Sequence, residues 1–300
     1  MSIVQPSSAP FTESQKRESF LSLQTHLLES TQPFFIGRLS GNETRLCGNV
    51  LSNIPVPDNL VMEMLFGAGI QFNNRFEIQS YVKSYTNACI RAQLLGVWDG
   101  SMYTQAKEYY EFISRLKRDV RYICAHALEP YYYMDLPEYA FDRVFENKKV
   151  LVITSHQKTT ESQIPHLTQV FKRPLFHTTT EFYVYKPPQQ NGGNHDNQSW
   201  SIHFERMKRE LGEIKENTFD FDIALVSCGG FGMPISDFIF TDLKKSVIYV
   251  GGALQLLFGI QGKRWEQSIG VVKHMNTFWT RPFPEDSPKY PSICEGGCYW

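Results

Sequence analysis

Three short runs constrain this chain most: KVLVIT at 149–154, DIALVS at 222–227 and SVIYV at 246–250. Each is continuously apolar and β-branched instead of alternating, the pattern of a strand covered on both faces. Such strands belong to parallel sheets, and parallel neighbours need a crossover connection, usually a helix. The intervening segments have that character. Ile202 to Asn217 puts Phe204, Met207, Leu211 and Ile214 on one helical stripe, Ile164 to Phe171 is apolar-periodic, and a helix is expected from Ile235, just after Pro234. FFIG at 34–37 is a fourth strand and the stretch 174–185 holds a further one. Strands alternating with helices predict an α/β fold: a Rossmann-like, mostly parallel sheet with helices on both faces. A chain of 300 residues, 42% of them hydrophobic, can bury such a sheet.

The remaining segments fill in the organisation. Residues 1–33 read as a loose tail and one helix, opened by the capping box TESQ at Thr12 to Gln15. Residues 34–300 read as one α/β domain whose last part, 279–300, is rich in Pro and aromatics and wraps over the body. A helix is expected over 43–51, another over 77–95 that is broken by GVWDG at 96–100, and another over 104–116 that ends in Arg115, Lys117 and Arg118. The stretch 123–125 reads as a short strand before LEPYYY, and 137–145 as a short helix. The region 55–74 has no clear period, and the Pro- and Gly-rich 186–199 reads as a surface loop.

Each strand opens into polar or glycine residues. FFIG leads into Arg38, Ser40, Gly41, Asn42 and Glu43; KVLVIT into Ser155 and His156; DIALVS into Gly229, Gly230 and Gly232; SVIYV into Gly251, Gly252 and Gln255. In an open parallel sheet these carboxyl ends share one edge, where ligands bind at the point of strand-order reversal. Glycine lets backbone approach a ligand, and the following helix offers unpaired N–H groups, which suits a phosphate or diphosphate. A tight turn needs glycine too, so one such turn says little; two on successive strands carry the functional reading. QGKRW adds Lys263 and Arg264, able to clamp a diphosphate, and Trp265, able to stack on a base or sugar; a solvated basic loop has the same composition. Glu43, directly after a glycine turn, is the leading carboxylate for a metal or a hydroxyl, with Glu129 second.

Several classes are excluded. The net charge of −1, without long like-charge blocks, gives no field for nucleic acid. Starting at Gly230, GFGMPI puts Ile235 where a dinucleotide fingerprint needs glycine, and no Walker A or GxSxG string occurs. The N-terminus lacks a secretory signal and no apolar run approaches ~18 residues, so a cytoplasmic protein without a membrane span and with reduced cysteines is expected.

DIALVSCGGFGMPISDFI followed by VIYVGGALQLLFGIQGKRW resembles the C-terminal half of GT-D-type glycosyltransferase domains, especially a branch found in surface-polysaccharide gene clusters. FIGRLSGNE is similar to that family's N-terminal strand-turn, and LEPYY with KKVLVIT, WTRPFPEDSPKY and EGGCYW extends the likeness from about Phe34 to Trp300. The resemblance implies a GT-D-like transferase that moves a sugar from a nucleotide-sugar donor, first of all a UDP-sugar, to a glycan or other hydroxyl acceptor. On that reading the strand-end residues and Lys263 to Trp265 bind the nucleotide sugar, while Glu43 and Glu129 are catalytic, Glu129 as base. The family's Asp-x-Glu triplet engages the donor diphosphate, commonly with a divalent metal. Here it reads Gly41, Asn42, Glu43, with glycine in the aspartate position. A manganese or magnesium ion on Glu43 is the implied cofactor, and Lys263 with Arg264 is the alternative countercharge. The missing aspartate favours an alternative function, a non-catalytic member of the fold that binds a nucleotide sugar or glycan. A methyltransferase would need an acidic strand tip after a glycine loop, which the sequence lacks. Self-association stays open.

Overall fold

The computed structural model describes residues 4–7, 9–99, 107–116 and 120–300. Seven strands are present among them: β1 (Phe35–Arg38), β2 (Leu94–Val97), β3 (Tyr122–Cys124), β4 (Lys149–Thr154), β5 (Glu181–Tyr185), β6 (Ile223–Ser227) and β7 (Ser246–Tyr249). They form one sheet in the order β3-β2-β1-β7-β6-β4-β5, parallel throughout. The chain moves outward from β1 to β3. It then starts again at β4, sends β5 to the far edge, and returns through β6 to β7 beside β1. The strand order therefore reverses near the middle, and a crevice opens there at the carboxyl ends.

The helices are α1 (Glu13–Glu29), α2 (Gly41–Leu51), α3 (Asp58–Phe66), α4 (Arg75–Arg91), α5 (Lys107–Arg115), α6 (Gln157–Gln163), α7 (Leu167–Val170), α8 (Trp200–Glu213) and α9 (Gly232–Thr241), followed by the short α10 (Leu254–Leu257) and α11 (Ile269–Val272). Strand side chains alternate between the sheet's two faces. On β4, Val150 and Val152 join the core that holds Phe20, Leu23 and Leu27 of α1. Leu151 and Ile153 join the opposite core with Tyr81 and Tyr85 of α4 and Ile235 and Ile239 of α9. The capping box that opens α1 is formed in both directions between Thr12 and Gln15. No helix among the described residues is long and apolar enough to cross a membrane.

The local reading needs correction at several places. The helix expected over 77–95 ends at Arg91, and Leu94–Val97 is a central strand. Ala92 and Leu95 continue the helical spacing, but the ladder claims this segment: the Gln93 N–H donates to the Phe35 carbonyl at 2.8 Å and the Leu95 N–H to the Arg121 carbonyl at 2.9 Å. Tertiary pairing here overrides local period. Gly96 lies inside the strand, with the Ala125 Cα 3.2 Å from where a Cβ would stand. The unplaced stretch 55–74 contains α3, 137–145 contains only the 3₁₀ turn Phe141–Phe145, and 164–171 is a 3₁₀ turn followed by α7. Thr104, Lys117 and Arg118 lie outside the described residues.

Candidate functional site

A cavity of about 530 Å3 opens at the carboxyl edge of the sheet, within the range of small-molecule sites. Every strand contributes to it: Arg38 from β1, Trp98 after β2, His126 after β3, Ser155 after β4, Gln190 after β5, Cys228 after β6 and Gly251 after β7.

The wall from the first half of the chain is charged. Arg38 is the last residue of β1, and its guanidinium lies 5.1 Å from the ring centre of Trp98 and 5.8 Å from that of Tyr249. The two rings hold a planar cation. No carboxylate among the described residues pairs with it, and its Nε is buried without a hydrogen-bond partner. A buried unpaired polar group costs about 1–3 kcal/mol, more when charged, a cost that an anion placed here would relieve. Ser40, Gly41, Asn42 and Glu43 follow at the start of α2 and also line the cavity. Ser40 does not cap the helix with its side chain; its Oγ lies 3.4 Å from the Tyr249 hydroxyl.

Glu43 is buried in the first turn of α2, and burial raises its carboxyl to about 7, against the lowering effect of its own backbone N–H and of Arg38 and with a further push from Glu295. The protein therefore keeps this carboxyl near its midpoint at neutral pH. Glu129 is the second buried carboxylate on this wall. The Tyr131 hydroxyl donates to its Oε2 at 2.8 Å, and Nδ1 of His126 lies 3.8 Å from the same oxygen.

The wall from the second half carries small residues at its glycine turns and larger side chains beside them. Ser155, His156, Gly229, Gly251, Gly252 and Gln255 line it. His156 is buried, and burial lowers its imidazole to about 4, against Asp286 and a Gln255 contact that favour the charged ring; it is neutral above that. Its ring lies 5.8 Å from that of Trp300, and its Nδ1 has no hydrogen-bond partner. Gly251, at φ 68°, takes a conformation open mainly to glycine, and a Cβ there would collide with the Arg38 guanidinium. Gly252 makes room for the Tyr299 ring.

Arg264 and Trp265 also line the cavity, but Arg264 is already engaged: it pairs with Glu295 and donates to the Tyr299 hydroxyl at 3.0 Å. Three expected site residues lie elsewhere. Gly230 and Gly232 face the protein interior, where side chains would meet Ile70 and Tyr249, and Lys263 is exposed off the cavity wall. The glycines after β6 thus serve packing, although Gly229 does reach the cavity.

Sequence reading missed Trp98, His126, Tyr132 and Tyr249, and the contribution of the loop 186–199, of which Pro187 to Asn191 reach the cavity. It also missed Glu295, Tyr299 and Trp300, which come from the wrapping tail. The strand-end rule would have found Trp98 if LLGV had been read as a strand, and His126 if the rule had been carried to the short strand expected at 123–125.

A resident divalent cation does not fit this donor set. Gly41 supplies no ligand, Glu43 stands alone at the α2 start with a guanidinium nearby, and no group of three His, Cys, Asp or Glu able to hold a metal occurs among the described residues. All six cysteines are unpaired. No family model, curated protein or solved structure matches the chain.

Proposed function

We propose that this chain is a glycosyltransferase that moves a sugar from a nucleoside-diphosphate sugar, first of all a UDP-sugar, to a hydroxyl of a glycan or related acceptor. The observation that carries the reading is Arg38: an unpaired guanidinium between Trp98 and Tyr249, beside a helix start, in a cavity at the carboxyl edge of a parallel sheet. Glycosyl transfer leaves a diphosphate carrying new negative charge, and preorganised cations and N–H groups aimed at it lower the barrier. Arg38 answers that need in bidentate fashion, and the start of α2 adds its dipole. Glu43, titrating near neutrality, would gain a proton as a diphosphate arrives and donate a hydrogen bond to it. Trp98 and Trp265 put aromatic surface on the cavity wall, which suits a base or sugar.

No step is assigned to a metal. A second reading, a module that binds a nucleotide sugar without turning it over, is favoured by Gly41 in the aspartate position of the triplet. A thermal-shift panel of UDP-, GDP- and CMP-sugars, with and without manganese, paired with nucleotide release, separates the two. Stabilisation with slow release of nucleoside diphosphate supports the transferase; stabilisation without release under any acceptor supports the module; no stabilisation by any member removes both.

A further inference from the structure

We infer that His126, backed by Glu129, is the base that takes the proton of the incoming acceptor hydroxyl; this rests on the transferase reading above. The other titratable side chains on the cavity wall are committed elsewhere. Glu43 faces Arg38 and shares its burial with Tyr81, Tyr85, Tyr249 and Cys47, so it belongs to the donor end. His156 is buried, with the Trp300 ring 5.8 Å from its own. Glu295 is tied to Arg264. Glu129 itself is buried and accepts the Tyr131 hydroxyl.

His126 differs from all of these. It follows β3 directly, lines the cavity, and keeps about a third of its side chain exposed, at 32%. Its Nδ1 lies 3.8 Å from the Glu129 carboxylate, so Nε2 is the nitrogen assigned to the acceptor. That separation is loose for a hydrogen bond, as catalytic contacts often are before substrate closes the site. Trp98 and Tyr132 hold the ring edge-on at 5.2 and 5.9 Å between centroids. Trp98 is also the ring under Arg38 at 5.1 Å. One tryptophan therefore touches both the proposed base and the leaving-group cation, and all three line the same cavity.

The step balances as follows. The acceptor oxygen bonds to the anomeric carbon while its proton passes to Nε2 of His126. The bond from that carbon to the diphosphate oxygen breaks, and its electron pair leaves with the nucleoside diphosphate beside Arg38. The imidazolium, stabilised by Glu129, then returns its proton to solvent. Glu129 is a positioning residue: it fixes which nitrogen carries the proton and holds the ring.

The test uses the full chain and the UDP-, GDP- and CMP-sugar panel, with azide as a nucleophile that has no proton to lose. His126→Ala is expected to lower nucleoside diphosphate release to water and hydroxyl acceptors about 100-fold. Release in the presence of azide and the thermal shift by the donor should stay at wild-type levels. Glu129→Gln should lower hydroxyl-dependent release and spare azide-dependent release in the same way, a split that a merely structural loss would not give. Unchanged release in His126→Ala, with donor binding intact, overturns the base assignment alone. Equal loss with azide and with hydroxyls overturns it too, and His126→Gln repeats the test with a side chain of similar reach. Failure of the wild-type chain to bind any donor removes the transferase reading, and the assignment with it.

Discussion

The two walls of the cavity are made of different material. The end of β1 and the segments after β1, β2 and β3 supply Arg38, Glu43, Trp98, His126 and Glu129, all charged, imidazole or aromatic side chains. The segments after β6 and β7 supply uncharged residues, among them Cys228, Gly229, Phe231, Gly251, Gly252 and Gln255. The difference is not a division between a binding half and an idle one, because the glycine wall shapes the charged one. Gly251 lacks the Cβ that would displace the Arg38 guanidinium, and Gly232 lacks the one that would strike Tyr249, whose ring flanks the same guanidinium. Glycine turns at the edge of a parallel sheet invite comparison with phosphate cradles. In this chain much of the space they open is filled by the protein's own side chains, and the anion-seeking group is an arginine.

The largest expected effect follows from that contrast. Arg38→Ala should weaken nucleoside diphosphate binding about a thousandfold, the cost of removing one member of a buried, hydrogen-bonded charge pair. Arg38→Lys should recover only part of it, since a lysine neither forks nor stacks in the same way. Titration calorimetry with the nucleoside diphosphates measures both.

The buried titratable groups on the two walls sharpen the comparison, because they act with opposite sign. Glu43 is held up to about 7 from an ordinary value of 4.5. The folded state binds the extra proton, so this group's contribution is favourable below about pH 4.5 and is lost as pH rises through 7. His156 is held down to about 4 from 6.5, so its contribution is present above about pH 6.5 and is lost as pH falls toward 4. Between these limits the slopes oppose each other. Glu43→Gln should therefore be more stable than the parent above pH 7, by about 3 kcal/mol. The gain should shrink toward zero near pH 4.5, and the variant should expose a stability that climbs from pH 4 to 6.5. Urea denaturation across that pH range reads the result.

A smaller effect divides the glycines. Gly251→Ala should cost about 1–3 kcal/mol of stability for a left-handed conformation and also lower nucleotide affinity roughly tenfold by moving Arg38. Gly230→Ala, whose new methyl would meet Ile70, should cost stability while leaving affinity intact. Equal losses of affinity in the two variants would erase the proposed link between the walls. Smallest of all is chelation. With no group of three metal-ligating side chains among the described residues, EDTA should leave nucleotide affinity unchanged.

The same contrast explains what the sequence made legible. β4, β6 and β7 are read easily because central parallel strands must be apolar on both faces, and KVLVIT and DIALVS carry that mark without help from context. The strand β2 does not. Its Leu95 continues the stripe of α4, and only pairing with β1 and β3 turns the segment into a strand. Losing β2 hid Trp98, and His126 stayed hidden because a three-residue strand at 123–125 carries too little pattern to mark a ligand edge, so the more chemical wall was the less visible one. Glu43 and Arg38 were legible because a carboxylate and a guanidinium directly after a strand have little to do in a core. Glu295, Tyr299 and Trp300 were not, because a tail reaches the cavity by a path that no local pattern encodes. Nor could spacing tell a glycine that faces a ligand from Gly230 and Gly232, which face neighbouring side chains.

The most direct measurement is a crystal structure of the chain with a nucleoside diphosphate bound in the presence of EDTA. The account predicts diphosphate oxygens on the Arg38 guanidinium, between Trp98 and Tyr249, near the start of α2. A nucleotide seated away from Arg38, or one that binds there only through an added metal ion, would contradict it.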